Sequence, residues 1–320
     1  MLASPAIQRF SIEPRGRYSL AASAEFVGGF VPDPHRGADE AGHLHMAFCV
    51  EGTWEPAGVC LTEAAGAVHG AVYGAADPGL VRAQVARILS LDLDGTVYDA
   101  IGQRDPSIGA LQRRFGFLRP VLSWSVYEGL VRRLMSQRIS MRQAGRIKER
   151  MARELGPKMD IHGDVLDVFP SPAVLRELGP VQGLNERKVE WIRAAAAAAL
   201  DGRLDAVRLR AMDGDAAVAE LRQLPGVGPM TAEGTLIRGA GAPDRLALME
   251  PRLPRAVQHA YGLADVPADD EIVRISDGWR PFRSWVTVLV RMAYGRERPD
   301  DAARLDRRER ERTGRRPRIA

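Results

Sequence analysis

The run Leu224-Pro225-Gly226-Val227-Gly228-Pro229-Met230-Thr231-Ala232 joins two helical patterns through a turn nearly bare of side chains. Such a turn offers backbone amides to an anion. Ala216, Val218, Ala219, Leu221 and Leu224 give a short apolar face ahead of it, and Pro229 suits a first helical position, where its missing N–H costs nothing. Gly226 and Gly228 allow positive φ and close approach of another backbone, and the amides opening the second helix carry the positive end of its dipole. The unit reads helix, hairpin, helix, with room for a phosphodiester. An ordinary Gly-Pro turn between packed helices uses the same residues, so the turn alone leaves both readings open. A carboxylate follows: Glu250 stands at the mouth of a helix that opens near Arg252-Leu253 and stops at Gly262. Trp279, Phe282 and Trp285 precede an apolar helix from Val286 to Tyr294 and read as core aromatics.

These groups need a scaffold. The 320 residues suffice for two domains and a sizeable core, and 45% hydrophobic with 27% charged residues is the composition of a soluble globular protein. No membrane span is legible and the first ten residues lack a secretory apolar stretch, so a cytoplasmic location is expected. Short β-type segments, Leu44 to Val50, Ala57 to Leu61 and Ala67 to Tyr73, lie among two helices, Ala22 to Phe30 and Gly79 to Leu89, the latter with Leu80, Val81, Val85 and Leu89 on one face. Cys49 and Cys60 fall in this region and read as buried thiols. From Arg119 onward the pattern is helical: Val126, Leu130 and Leu134 repeat at four-residue spacing. Ser140 with Gln143 makes a capping box for a helix whose Ala144, Ile147, Met151 and Leu155 face inward. An alanine-rich helix runs from Trp191 to Leu200. The net charge of +4 says little, but residues 303–320 hold eight arginines against three acids. Such a run reads as a solvated end or as a phosphate-seeking arm.

The hairpin, with Tyr127-Glu128-Gly129-Leu130-Val131, Met135-Ser136-Gln137-Arg138-Ile139-Ser140, Phe169-Pro170-Ser171-Pro172, Gly183-Leu184-Asn185-Glu186-Arg187-Lys188 and the Trp279 segment, resembles the 3-methyladenine DNA glycosylase II family of the helix-hairpin-helix DNA glycosylases. The resemblance covers residues 119–294, in the family's order and spacing. It implies an α+β fold: a small antiparallel-sheet α+β domain over residues 1–118 and a mostly helical glycosylase domain over 119–295, to which the charge pattern adds a basic tail over 296–320.

The resemblance also implies a chemistry. Breaking the bond between base and deoxyribose builds positive charge on the sugar, so a carboxylate must stand nearby, and the flipped base needs a pocket. By register the carboxylate falls at Glu250, where the family has aspartate; glutamate is longer by roughly 1.5 Å. Asp244 is the alternative acid. Leu224, Gly226, Val227, Gly228, Met230 and Thr231 would hold the DNA backbone. Gln137 and Arg138 would come from the loop that plugs the duplex, and Met230, Gly234, Arg291 and Tyr127 would line the pocket. If Arg291 meets Glu250, it keeps that carboxylate ionised and disfavours a cationic base. Relatives that also cut the backbone carry a hairpin lysine; Met230 stands in its place, read as a buried methionine, which implies a monofunctional enzyme. Two cysteines are too few for the four-thiolate iron–sulfur cluster of some relatives, and no metal ligands are read. No cofactor is required, with a monovalent cation at the hairpin carbonyls as an option. The implied partner is double-stranded DNA with a damaged base, bound by a monomer. A lesion-binding protein on the same scaffold, without catalysis, is the alternative function.

Overall fold

Strands of alternating apolar residues and helices with one apolar stripe build two cores, and the candidate site lies where they meet. The computed structural model describes residues 7–29, 39 and 41–305. Strands β1 (Gln8–Ile12), β2 (Leu44–Cys49), β3 (Pro56–Ala64) and β4 (Ala67–Tyr73) form an antiparallel sheet in the order β1-β4-β3-β2. One face, with Leu44, Met46, Phe48, Val59, Leu61 and Val72, turns into the larger core. Side chains alternate along a strand, so Ala47 and Cys49 face the other way, onto Met159 and Val168. Met159 lies in β5 (Lys158–Ile161) and Val168 directly follows β6 (Asp164–Asp167), the two strands of a small hairpin lying across the sheet.

The helices are α1 (Leu20–Gly29), α2 (Pro78–Ile88), α3 (Gly95–Arg104), α4 (Pro106–Arg114), α5 (Val126–Ser136), α6 (Met141–Leu155), α7 (Pro172–Arg176), α8 (Glu186–Leu200), α9 (Ala206–Ala211), α10 (Gly214–Leu221), α11 (Pro229–Thr235), α12 (Leu253–Tyr261), α13 (Asp269–Asp277) and α14 (Arg283–Glu297). A π-helical turn, Leu236–Ala240, continues α11. Several helices start on side-chain caps: Ser125 accepts from Glu128 N at 3.0 Å, Ser140 from Gln143 N at 3.1 Å and Asn185 from Lys188 N at 2.9 Å.

Packing divides the chain differently from a boundary at residue 118. The larger core joins the sheet and α1–α4 to Leu253, Trp279, Phe282, Trp285 and most of α14, whereas the second core runs from Val126 to Ala240. An apolar stripe reveals that a helix is buried but not against what, so the return of the C-terminal helices to the N-terminal layer left no mark in the sequence. Arg119 seals the larger core: it is fully buried, lies over the rings of Tyr18 and Trp285, and donates to the carbonyls of Ser90, Arg15 and Arg17. Glu51 and Arg87 tie the two cores. Their side chains pair at 3.0 Å, Glu51 accepts from Val126 N at 2.8 Å, and Arg87 donates to the Gly239 carbonyl at 2.7 Å.

Several expectations need correcting. Leu80 and Leu155 are exposed, each at the edge of its helix's stripe, while Val81, Val85, Leu89, Ala144, Ile147 and Met151 are buried. The segment read as a tail from residue 296 begins as helix: α14 reaches Glu297, residues 299–305 are helical, and Ala302 is buried in the larger core. The arginines beyond 305 lie outside the described residues. Among the described residues no helix is long and apolar enough to cross a membrane.

Candidate active site and nucleic-acid interface

In the hairpin the two glycines do different work. Gly226 has φ +79, the left-handed region, and a Cβ there would stand 2.3 Å from the Trp191 ring, so both backbone and packing demand glycine. Gly228 corrects the sequence reading. Its φ is −85 as N-cap of α11, and a Cβ built on it meets nothing within 4 Å. Glycine there leaves the approach to the helix open. The first backbone bond of α11 runs from Ala232 N to the Gly228 carbonyl at 2.9 Å, so the amides of Met230 and Thr231 precede any intrahelical partner. Leu224 and Val227 are buried and seat the turn on the second core, leaving only their backbones for a phosphate.

Between α5 and α6 the chain is clamped to that turn. Gln137 donates through Nε2 to the Gly226 carbonyl at 2.8 Å, so it positions the hairpin rather than projecting as a plug. Lys188 is buried and donates through Nζ to the carbonyls of Met135 and Gln137, at 2.7 and 2.6 Å. Arg138, next in the chain, is exposed with φ +57. A non-glycine residue in that conformation costs about 1–2 kcal/mol, and the clamp on either side holds it there. Arg138→Gly is therefore expected to raise stability by about 1 kcal/mol in denaturant unfolding while weakening duplex binding and base release. Loss of stability with unchanged DNA binding would count against Arg138 as the projecting side chain.

Glu250 lies in a cavity of about 140 Å³, roofed by Arg133, Met230, Gly234, Ile237 and Arg238 of the second core and floored by Met249, Pro251, Thr287 and Arg291. Arg291 approaches Glu250 at 3.2 Å between Nη2 and Oε2, both side chains being partly exposed. The Arg133 guanidinium occupies the place a Cβ on Gly234 would take, at 2.4 Å, which is why this helix carries glycine there. Burial, with Arg132 close by and Glu250 pulling the other way, pushes Arg133 down to about 9. Burial with Arg132 and Arg133 does the same to Arg238. Both stay charged at neutral pH, so the cavity holds more guanidinium than carboxylate.

The remaining candidates fall elsewhere. Tyr127 does not line this cavity: it is buried in the second core against Trp54 and Phe169, its hydroxyl donating to the Pro170 carbonyl at 3.3 Å. Its place at the start of α5 puts it on the inward stripe, a turn and a half from Arg133. Met230 is 43% exposed at the cavity's lip rather than buried. Asp244 is consumed as an anchor, its carboxylate paired with Arg283 at 2.9 and 3.1 Å and with Arg280 at 2.9 Å. Sequence reading missed Arg133 and Arg238; only Gly234 inside a helical pattern signalled a close approach there.

A hairpin with open amides thus lies beside a carboxylate-bearing cavity at the seam of the two cores, on a fold shared with solved DNA glycosylases. The 3-methyladenine DNA-glycosylase of Archaeoglobus fulgidus superposes with a TM-score of 0.71 at 22% identity, covering 90% of this chain and 98% of that one. In sequence the chain is similar to a putative DNA-3-methyladenine glycosylase, YfjP, of Bacillus subtilis, 26% identical over 175 residues, 53% of this chain and 59% of the relative. It is 32% identical over 209 residues, 64% of this chain and 41% of the relative, to a probable bifunctional transcriptional activator/DNA repair enzyme AlkA of Mycobacterium tuberculosis. The matches thus span about three fifths and two fifths of these relatives' lengths. No family model matches the chain. The resemblance read from the sequence is borne out: the chain is similar to DNA-3-methyladenine glycosylases and has the helix-hairpin-helix glycosylase fold.

Proposed function

We propose that the chain is a monofunctional DNA N-glycosylase of base excision repair, which flips an alkylated base from duplex DNA and hydrolyses its glycosidic bond. One observation carries this reading: Met230 and Gly234, on the helix whose start offers free amides, also wall the cavity that holds Glu250. A phosphate bound at the hairpin thus brings the adjoining nucleotide to the carboxylate. Glu250 would stabilise the sugar cation, Arg291 would hold it ionised, and the hairpin would fix the backbone. Arg133, Arg238 and Arg291 favour a neutral modified purine over a permanently cationic one. Similarity to DNA-3-methyladenine glycosylases supports the reaction class. A monovalent cation at the hairpin fits the carbonyls present: Gly226 accepts from Gln137 and Leu224 from Val227 N, and each oxygen keeps a lone pair.

The test is a screen of modified-base duplexes, cationic and neutral, for released free base. Binding without release from any of them would favour the lesion-binding alternative. Because Met230 offers no amine, abasic sites are expected to accumulate without strand cleavage, and borohydride during turnover is expected to trap no covalent adduct. A trapped protein–DNA species would overturn the monofunctional assignment.

A further inference from the structure

Away from the cavity, the sheet face beneath the β5–β6 hairpin gathers three of the chain's six histidines. His43 immediately precedes β2 and His45 lies two residues on, so both point to one side, and His45 sits directly across the ladder from Cys60 of β3. The donor atoms of His43, His45 and Cys60 all lie within 4.8 Å of one another. His162, at the β5–β6 turn, stands with its ring centre 5.6 Å from that of His45, and hydrogen-bonds the Tyr73 hydroxyl at 3.0 Å.

The environment of His45 selects one nitrogen. The residue is 9% exposed, and its Nδ1 faces Asp164 Oδ2 at 3.1 Å, which places the proton on Nδ1. Nε2 is then a lone pair, and it is buried with no hydrogen-bond partner. Asp39 Oδ2 lies 3.8 Å from that nitrogen and 3.5 Å from His43 Nδ1, while Asp39 Oδ1 accepts the backbone amides of Ala41 and His43. A buried lone pair aimed into a group of soft and imidazole donors, with a carboxylate behind the ring, is the arrangement of a metal-ligating histidine.

We propose that His43, His45 and Cys60 bind one divalent ion of the zinc class, with Asp39 Oδ2 facing the same space as the fourth donor and Asp164 orienting His45. Two imidazoles, one thiolate and one carboxylate suit a tetrahedral borderline-soft ion and not magnesium or calcium. None of these residues lines the Glu250 cavity, so the ion's role is structural. It fastens the edge of the sheet, and through Asp164 it stiffens the hairpin that crosses it.

The experiment uses untagged full-length protein, stripped with a chelator and titrated with Co²⁺. One ion per chain is expected, with a thiolate-to-cobalt charge-transfer band in the near ultraviolet, visible bands of a tetrahedral site, and displacement by Zn²⁺. Cys60→Ser is expected to abolish the charge-transfer band. Asp164→Asn keeps every ligand and is expected to weaken Co²⁺ binding about 10- to 100-fold. His43→Gln, at a half-buried position, guards against misfolding: it is expected to lose tight binding while circular dichroism matches the parent. Cobalt bound without the charge-transfer band, or with equal affinity in the parent, Cys60→Ser and His43→Gln proteins, would overturn the proposal and leave a hydrogen-bonded histidine cluster.

Discussion

Replacing Glu250 by glutamine is expected to slow base release by about a hundredfold or more, on the order of 3 kcal/mol, with duplex affinity unchanged. Glutamine keeps the shape that fills the cavity and removes the charge that answers the developing sugar cation. The loss is compounded by what surrounds it: with the carboxylate gone, Arg133, Arg238 and Arg291 outweigh the one remaining acid of the lining, Glu233, which Arg245 already pairs at 2.9 Å. Glu250→Asp separates two histories of the site. Shortening by roughly 1.5 Å draws the carboxylate back from its 3.2 Å contact with Arg291, and a misplacement of that size can cost about 100-fold. A site adapted to glutamate slows on shortening, whereas one that has drifted from aspartate regains rate. Asp244 will not substitute, because Arg280 and Arg283 already occupy its oxygens. Single-turnover rates on the best modified-base duplex decide the matter; equal rates for Glu250, Gln and Asp would reduce Glu250 to a charge at a helix end.

The second large effect separates the two hairpin glycines. Gly226→Val forces a branched side chain into the left-handed region and into Trp191, 2.3 Å from where its Cβ would stand. Strain and overpacking together are expected to cost on the order of 3 kcal/mol, visible as a fall in melting temperature of several degrees. Gly228→Val meets no protein atom, so its stability is expected to stay within about 0.5 kcal/mol of the parent. Its side chain instead stands where a phosphate would approach the amides. Losing a charged hydrogen bond there is expected to weaken duplex binding about tenfold or more at every sequence. The dependence on salt should keep its slope, because no lysine or arginine contact is removed. Unchanged affinity of Gly228→Val at matched salt would remove the hairpin as the anchor.

The parts legible in the sequence were those that local chemistry fixes. β4 spans Ala67–Tyr73 as read, and Ser140 caps α6, because alternation and capping are decided within a few residues. The hairpin was plain for the same reason, with Gly226 marking a turn that only glycine makes. Failures came where partners are distant. β1 and the β5–β6 hairpin, both short, gain their place from pairing or lying across other elements, and α5 carries Tyr127 inward while turning Arg133 to the cavity. Glu250 came from register with a family, not from the residues around it. Arg291 came from the same register, but Arg133 and Arg238 came from neither, since an arginine beside an apolar stripe looks like any solvated one.

The seam between the cores has a practical consequence for dissecting the protein. The chain passes from one core to the other near Trp124 to Val126 and again between Ala240 and Leu253, and Glu250 rides on the second crossing. The glycosylase-like part is therefore not an excisable module. A fragment of residues 119–295 would strip Trp285 of α14 of its partner Tyr98 and open the core that α14 shares with the N-terminal layer, the wall from which Arg291 reaches the carboxylate. Limited proteolysis of the intact protein should accordingly yield nicked but associated halves, and the first 118 residues should prove as necessary to base release as the hairpin itself.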